Sequence, residues 1–309
     1  MYRLNEKDKL NFDFENPESS ASEFLDIDSL FKDGEYTKND DWKWSRDNRY
    51  IAYPVLRNGS DWKSYRIYDT QEKKPLEDQL TKIKFSGPNW DIDSKGFYYG
   101  RYDSSSLKYQ GNDPQELPHM RVYYHKVGQS QDEDQFIYEN PAKPKLSHSI
   151  SKTEDGLYLK MSSSSGAENF NHVSIAKVGE NAPEFKPLFP GKKGEFIYIY
   201  NIGSKFFYLT NYKAPYKKVF SVDVNFPQEE NWKVLLSGDE SNYITGADFT
   251  NHKLVIKFSN EGAESIKIYD MTSHEERAQV VHEVKLPGRG QIEDEFGGNY
   301  DENFYLFSY

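Results

Sequence analysis

A turn-and-strand pattern that returns six times, an aromatic content of 16% and a scarcity of helical periodicity predict an all-β fold for this 309-residue chain. The architecture they point to is a β-propeller of four-stranded antiparallel blades, about five to six of them in the chain. The copies are Asp47-Asn48-Arg49-Tyr50-Ile51-Ala52-Tyr53, Asp93-Ser94-Lys95-Gly96-Phe97-Tyr98-Tyr99 and Glu154-Asp155-Gly156-Leu157-Tyr158-Leu159. They continue as Ile202-Gly203-Ser204-Lys205-Phe206-Phe207-Tyr208-Leu209, Thr250-Asn251-His252-Lys253-Leu254-Val255-Ile256 and Tyr300-Asp301-Glu302-Asn303-Phe304-Tyr305-Leu306. Asp, Asn, Gly and Lys turn the chain, and the apolar run after them pairs as a strand. Neighbouring copies lie about 46 to 62 residues apart, most of them near 48. A solenoid also repeats. Four strands per unit with antiparallel alternation favour a radial array, which hides strand edges that an open array would expose.

Further strands fall inside each unit. After Tyr53 comes the polar turn Arg57-Asn58-Gly59-Ser60-Asp61, then the alternating run Lys63-Ser64-Tyr65-Arg66-Ile67-Tyr68-Asp69. Third strands are expected at residues 121–125, 172–176, 218–222 and 265–269, and short fourth strands at 136–138 and 232–236. The polar stretch 103–117 reads as a long loop within one blade, which accounts for the longer second spacing. Residues 22–26 with Leu30-Phe31, and residues 273–279, are the two places where a short helical turn is expected. No composition break marks a boundary, so residues 1–309 read as one domain.

Composition supports the strands and excludes several functions. The chain holds 24 Tyr, 20 Phe and 5 Trp, yet its hydrophobic fraction is only 36%, so the core is expected to be built largely from rings. A net charge of −11 opposes nucleic-acid binding, which needs a basic footprint. There is no cysteine, hence no disulfide framework and no thiolate nucleophile. The first ten residues are charged throughout, unlike a signal peptide, and no apolar run approaches a membrane span. The cytoplasm is the expected location.

Catalytic motifs are missing. There is no G-x-S-x-G elbow, and Ser162 to Ser165 with Gly166 reads as a hairpin loop between two strands. His119, His125, His148, His172, His252, His274 and His282 are scattered over different blades without zinc spacing, and read as exposed or strand-edge residues. Gln131-Asp132-Glu133-Asp134 and Glu293-Asp294-Glu295 lack the spacing of a calcium loop and read as solvated turns. Gly288-Arg289-Gly290 and Gly297-Gly298 open no helix and so are not phosphate loops. No catalytic residue, metal ligand or cofactor is assigned. A glycosidase built on paired carboxylates is a remote alternative that spacing alone cannot test.

Several stretches, in order, resemble the propeller domain of the prolyl oligopeptidases. Residues 45–53 (SRDNRYIAY) are similar to that family's S-x-D-G-x-Y-x-A-Y strand, and Gly59-Ser60-Asp61-Trp62 to its G-S-D-W turn. Lys84-Phe85-Ser86 with Trp90, followed by Lys95-Gly96-Phe97-Tyr98-Tyr99, resembles its K-F-S-x-x-x-W and G-K-G-x-F-Y pattern. Val122-Tyr123-Tyr124-His125 with Gly128 and residues 131–134 resembles L-Y-Y-H-x-x-G-T-x-Q-x-x-D, and residues 230–235 a later W-K-V-L strand. The resemblance covers about residues 16–309.

The resemblance implies a seven-bladed propeller that covers an α/β-hydrolase domain with a Ser-Asp-His triad and admits only short peptides, cut after proline. Neither that hydrolase domain nor the family's N-terminal segment is found in these residues, so the chain is expected to be a propeller truncated at both ends and inactive by itself. Short peptides, and a hydrolase domain supplied separately, are the partners it implies; no nucleic acid or membrane is expected. Phe85 matches the aromatic that lines the family's outer substrate pocket, while the Cys and Met of that wall align with Ala176 and Ser147. The competing reading of Phe85 is a core aromatic near a strand start. A stand-alone protein-interaction propeller is the alternative function.

Overall fold

The computed structural model describes residues 2–4, 21–38, 41–57, 59–102, 119–166, 168–179, 183–271, 279–292 and 307. Five antiparallel sheets follow one another along the chain, each built from consecutive strands. Blade 1 holds Lys43–Trp44, Tyr50–Arg57, Lys63–Asp69 and Lys74–Ile83, with Glu35–Tyr36 added on Tyr50–Arg57. Blade 2 is Asn89–Trp90, Gly96–Arg101, Arg121–Lys126 and Gln135–Glu139. Blade 3 is Ser147–Lys152, Tyr158–Ser164, His172–Lys177 and Lys186–Pro187. Blade 4 is Phe196–Ile202, Lys205–Thr210, Lys218–Asp223 and Lys233–Ser237, and blade 5 is Tyr243–Thr250, Lys253–Asn260, Ala263–Asp270 and Gln279–Glu283. A ribbon of Tyr2–Leu4 on Ala21–Glu23 stands apart. Among the described residues, blade 5 pairs with no strand of blade 1.

The aromatic runs of the sequence are the middle strands, and their continuity has a geometric cause. Successive side chains of a strand point to opposite faces, so a strand sandwiched between two neighbours must be apolar on both. Phe97 and Tyr99 pack with Ile67, Leu80 and Ile83 of blade 1, while Tyr98 between them packs with Ile150, Leu159 and Met161 of blade 3. In blade 4, Phe206 and Tyr208 face Tyr158, Val173 and Ile175 of blade 3. Phe207 and Leu209 face Phe249, Leu254 and Ile256 of blade 5. The core is therefore a series of seams between blades.

Two of the repeated turns share one device. Ser45 Oγ donates to Asp47 (2.7 Å) and accepts from Tyr50 N, and the Asp47 carboxylate accepts from Arg49 N. Thr153, Asp155, Leu157 and Tyr158 repeat it. A short polar side chain two residues before an Asp thus fastens the hairpin between first and second strands in blades 1 and 3.

Some sequence expectations change. Residues 21–23 form a strand, and only Asp28–Leu30 makes a 3-10 turn, because Ala21–Glu23 finds a partner in Tyr2–Leu4. Ser162 to Ser164 lie in the second strand of blade 3, paired with Ser147 to Ser149, and do not form the expected hairpin loop. The expected loop 103–117, the acidic run 293–295, the sixth copy at 300–306 and the helical turn expected at 273–279 lie outside the described residues, except that Gln279 opens a strand. His125 and His148 are fully buried within strands, contrary to their reading as exposed or strand-edge residues, because each is hydrogen-bonded inside the fold. Asp134 is also buried, against the solvated-turn reading of its segment, because it is a partner of His125.

Candidate functional site

Antiparallel alternation places residues 59–62, 84–88 and 102 at one end of blades 1 and 2. Two motifs of the sequence meet there. Lys84 is buried at 3% exposure and carries its ammonium 5.8 Å from the Trp62 ring and 5.1 Å from the Phe85 ring. Both are cation–π distances. Its nearest carboxylate, Asp61, is 3.8 Å away and solvent-facing. Trp62 meets the buried Tyr102 edge-on at 5.7 Å. Burial raises the Tyr102 phenol, and a hydrogen bond with Ser147 works against that shift.

Phe85 is 56% exposed, which rules out a core aromatic. Its φ of +55° and that of Lys82 (+60°) put two bulky residues in the left-handed region, a conformation that costs of order 1 kcal/mol and persists where the surroundings impose it. The surroundings are blade 2. Ser86 Oγ accepts from Gly100 N (2.8 Å), and the Lys82 carbonyl accepts from Tyr102 N (3.1 Å). A Cβ at Gly100 would lie 2.4 Å from the Met120 sulfur, so a larger residue there would have to displace that methionine.

Ser147 and Ala176 do not share one wall with Phe85. Ser147 opens its strand and pairs with Ser164 at the Tyr102 end. Ala176 pairs with Leu159, which pairs with Lys152, about 17 Å along the strand. Ala176 is a core residue of the seam between blades 2 and 3.

The rim offers an exposed ring beside a shielded ammonium and, among the described residues, carries no nucleophile with a base. Among the described residues one close Ser–His pair is found, Ser163 Oγ and His148 Nδ1 at 2.7 Å, and it is buried. The opposite ring nitrogen of His148 has no hydrogen-bond partner among the described residues, so no acid orients it as a triad requires. Burial pushes His148 down to about 4, helped by the charge of His119, so the ring is neutral. Among the described residues no group of three His, Asp or Glu side chains gathers to hold a metal, and no helix is long and apolar enough to cross a membrane.

The seam behind the rim holds a charged cluster that single-residue reading of the sequence missed. His125 Nδ1 lies 2.7 Å from Asp134 and Nε2 lies 2.9 Å from Asp78 of blade 1. Tyr99 Oη donates to Asp134 (2.5 Å), and Arg101 lies 3.9 Å from the same carboxylate. Burial alone would lower the His125 imidazole, but the hydrogen bonds to Asp134 and Asp78, with their charges, outweigh it and hold it at about 9. The signal available in the sequence was the H-x-x-G…D spacing, here His125, Gly128 and Asp134, whose Gly128 N also donates to Asp78.

Consecutive four-stranded blades packed face to face around aromatic seams define a β-propeller. The family Prolyl oligopeptidase, N-terminal beta-propeller domain, matches residues 5–309, and the chain belongs to it. The prolyl oligopeptidase of Omphalotus olearius is 29% identical over 267 residues, covering 80% of this chain and 35% of its own length. The prolyl endopeptidase of Elizabethkingia miricola is 28% identical over 290 residues, 93% of this chain and 39% of its own length. Among solved structures, prolyl oligopeptidase B of Galerina marginata, bound to a 35-residue hydrolysis and macrocyclization substrate, superposes with a TM-score of 0.85. That match, at 20% identity, covers 99% of this chain and 43% of the other, and carries the fold alone. The chain spans less than half the length of these relatives.

Proposed function

We propose that residues 1–309 form one substrate-filtering propeller domain of a prolyl-oligopeptidase-type serine endopeptidase. It acts in the cytoplasm on short proline-containing peptides and has no catalytic triad of its own. The observation that carries this reading is the rim of Trp62, Lys84, Phe85 and Tyr102, which presents an exposed aromatic ring beside a buried cation. An apolar ring of this kind suits a proline or other apolar side chain, and the ammonium suits a peptide carbonyl. An α/β-hydrolase domain outside residues 1–309 supplies the serine, histidine and aspartate.

The test is to express residues 1–309 alone and together with a prolyl-oligopeptidase hydrolase domain, then assay a Gly-Pro fluorogenic peptide. Cleavage is expected only in the mixture, with no fluorophosphonate labelling of this chain. Labelling of any of its serines overturns the reading. A soluble, monodisperse chain that restores no cleavage favours the stand-alone interaction propeller instead.

A further inference from the structure

The outer strand of blade 1, Lys74–Ile83, is poorly registered on its own blade. Its pairing with Lys63–Asp69 is interrupted by two irregularities, between Lys63 and Tyr65 and between Arg66 and Tyr68. The strand is also tied to blade 2. Asp78 meets His125 Nε2 at 2.9 Å and accepts from Gly128 N. Thr81 N donates to Gln131 Oε1 (3.2 Å), and the Gln131 amide donates back to the Thr81 carbonyl (3.2 Å). Lys82 and Ser86 take the bonds from Tyr102 and Gly100 described above.

We propose that Asp78–His125–Asp134 is a proton-operated latch that seats the outer strand of blade 1 on blade 2, and thereby sets the position of Lys84 and Phe85 at its end. The latch does not depend on what the rim binds. A charged imidazole donates through both nitrogens, one to each blade. A neutral imidazole keeps one N–H, so one of the two buried carboxylates loses its donor and faces a lone pair. Asp134 keeps Tyr99 and Arg101 as partners, whereas Asp78 keeps only Gly128 N among its bonds described here, so the neutral ring is expected to let go on the blade 1 side.

The charged and titratable groups around the ring support this direction. Asp78 approaches from blade 1 and Asp134 from the loop before the fourth strand of blade 2. Tyr99 and Arg101 stand behind Asp134, and the Tyr50 phenol feels Asp78 from the second strand of blade 1. Phe97 covers the imidazole at 5.2 Å. The balance of these groups holds the proton on His125 through neutral pH.

The experiment is amide hydrogen exchange on the whole chain at pH 7 and pH 10, corrected for intrinsic rate. Segment 74–86 is read against the blade 4 strand 205–210. Protection of 74–86 is expected to fall at least about tenfold relative to the control strand at the higher pH. His125→Gln is expected to show that low protection at both pH values. Equal protection of 74–86 at both pH values in the unmodified chain overturns the latch, as does a His125→Gln variant that keeps the full pH response. If His125→Gln does not fold, Asp78→Asn serves, with the loosening expected at lower pH. Proton NMR of the unmodified chain gives a direct reading. A His125 ring that titrates well above the ordinary histidine range supports the latch, and one that titrates at or below that range overturns it.

Discussion

The seam between blades 1 and 2 and the seam between blades 3 and 4 solve the same packing problem with different chemistry. Between blades 3 and 4, rings do nearly everything. Phe189 stacks on Phe196 at 4.2 Å, Phe220 stacks on Trp232 at 4.4 Å, and Tyr158 meets Phe206 edge-on at 5.3 Å. Between blades 1 and 2, a similar apolar layer of Ile67, Leu80, Phe97 and Tyr99 is joined by the buried ions of Asp78, His125 and Asp134. An aromatic seam is strong, non-directional and indifferent to pH. A buried ionic bridge fixes the register of one strand on another and depends on a proton. The charged seam is also the one that carries the exposed rim.

The comparison breaks most easily at His125. His125→Ala leaves two buried carboxylates without their shared donor, and about 4 kcal/mol of stability is expected to be lost in urea unfolding at pH 7. Phe220→Ala in the aromatic seam is expected to cost about 3 kcal/mol through its cavity, with the same loss at pH 6.5 and pH 9. A His125→Ala loss below about 1 kcal/mol, or a Phe220→Ala loss that varies with pH, would erase the contrast.

Acid and alkali should separate two buried histidines. His125 is held above its unfolded value of 6.5, so its contribution is full below pH 6.5 and fades as pH rises to about 9. His148 is held below 6.5, at about 4, so its folded form gains relative stability above 6.5 and loses it as pH falls towards 4. Thermal unfolding is expected to peak near pH 6.5, with up to about 3 kcal/mol lost on the alkaline limb. Replacing His125 with Gln should flatten the alkaline limb and leave the acid limb; if both limbs change together, the assignment fails.

Smaller effects sharpen the same contrast. The Tyr208 hydroxyl is fully buried and has no hydrogen-bond partner among the described residues, and burial alone raises its phenol. Tyr208→Phe is expected to stabilise the aromatic seam by about 1 kcal/mol in the same unfolding assay. A destabilisation would mean that the hydroxyl has a partner. Phe85→Gly relieves a left-handed φ at an exposed site, so stability should hold or rise by less than about 1 kcal/mol. Binding of a proline-containing peptide, followed by calorimetry on the complete assembly, should weaken; unchanged binding would remove Phe85 from the rim's role.

Much of the fold was legible because propeller strands obey a local rule. The turn Asp47-Asn48 with Tyr50 to Tyr53, and its repeats at Asp155 and Gly203, needed only turn chemistry and an apolar run to be read. The short helical turn read near residues 22–26 failed because Ala21–Glu23 pairs with a segment some twenty residues away, which no local pattern announces. The site was half legible. Lys84-Phe85-Ser86 and Gly59-Ser60-Asp61-Trp62 stood out singly, yet their meeting around one ammonium depends on how two strand ends align.

The sequence by itself determined the repeat, the antiparallel blades and the ring-rich core, because side-chain alternation and turn residues act over a few neighbours. Tertiary structure decided which histidines are buried, which acids they meet and which rings stay outside. Asp78 and His125 lie 47 residues apart, and only the packing of blade 1 on blade 2 makes them partners; Lys84 and Trp62 lie 22 apart and meet because Ile83 pairs with Lys63 inside blade 1.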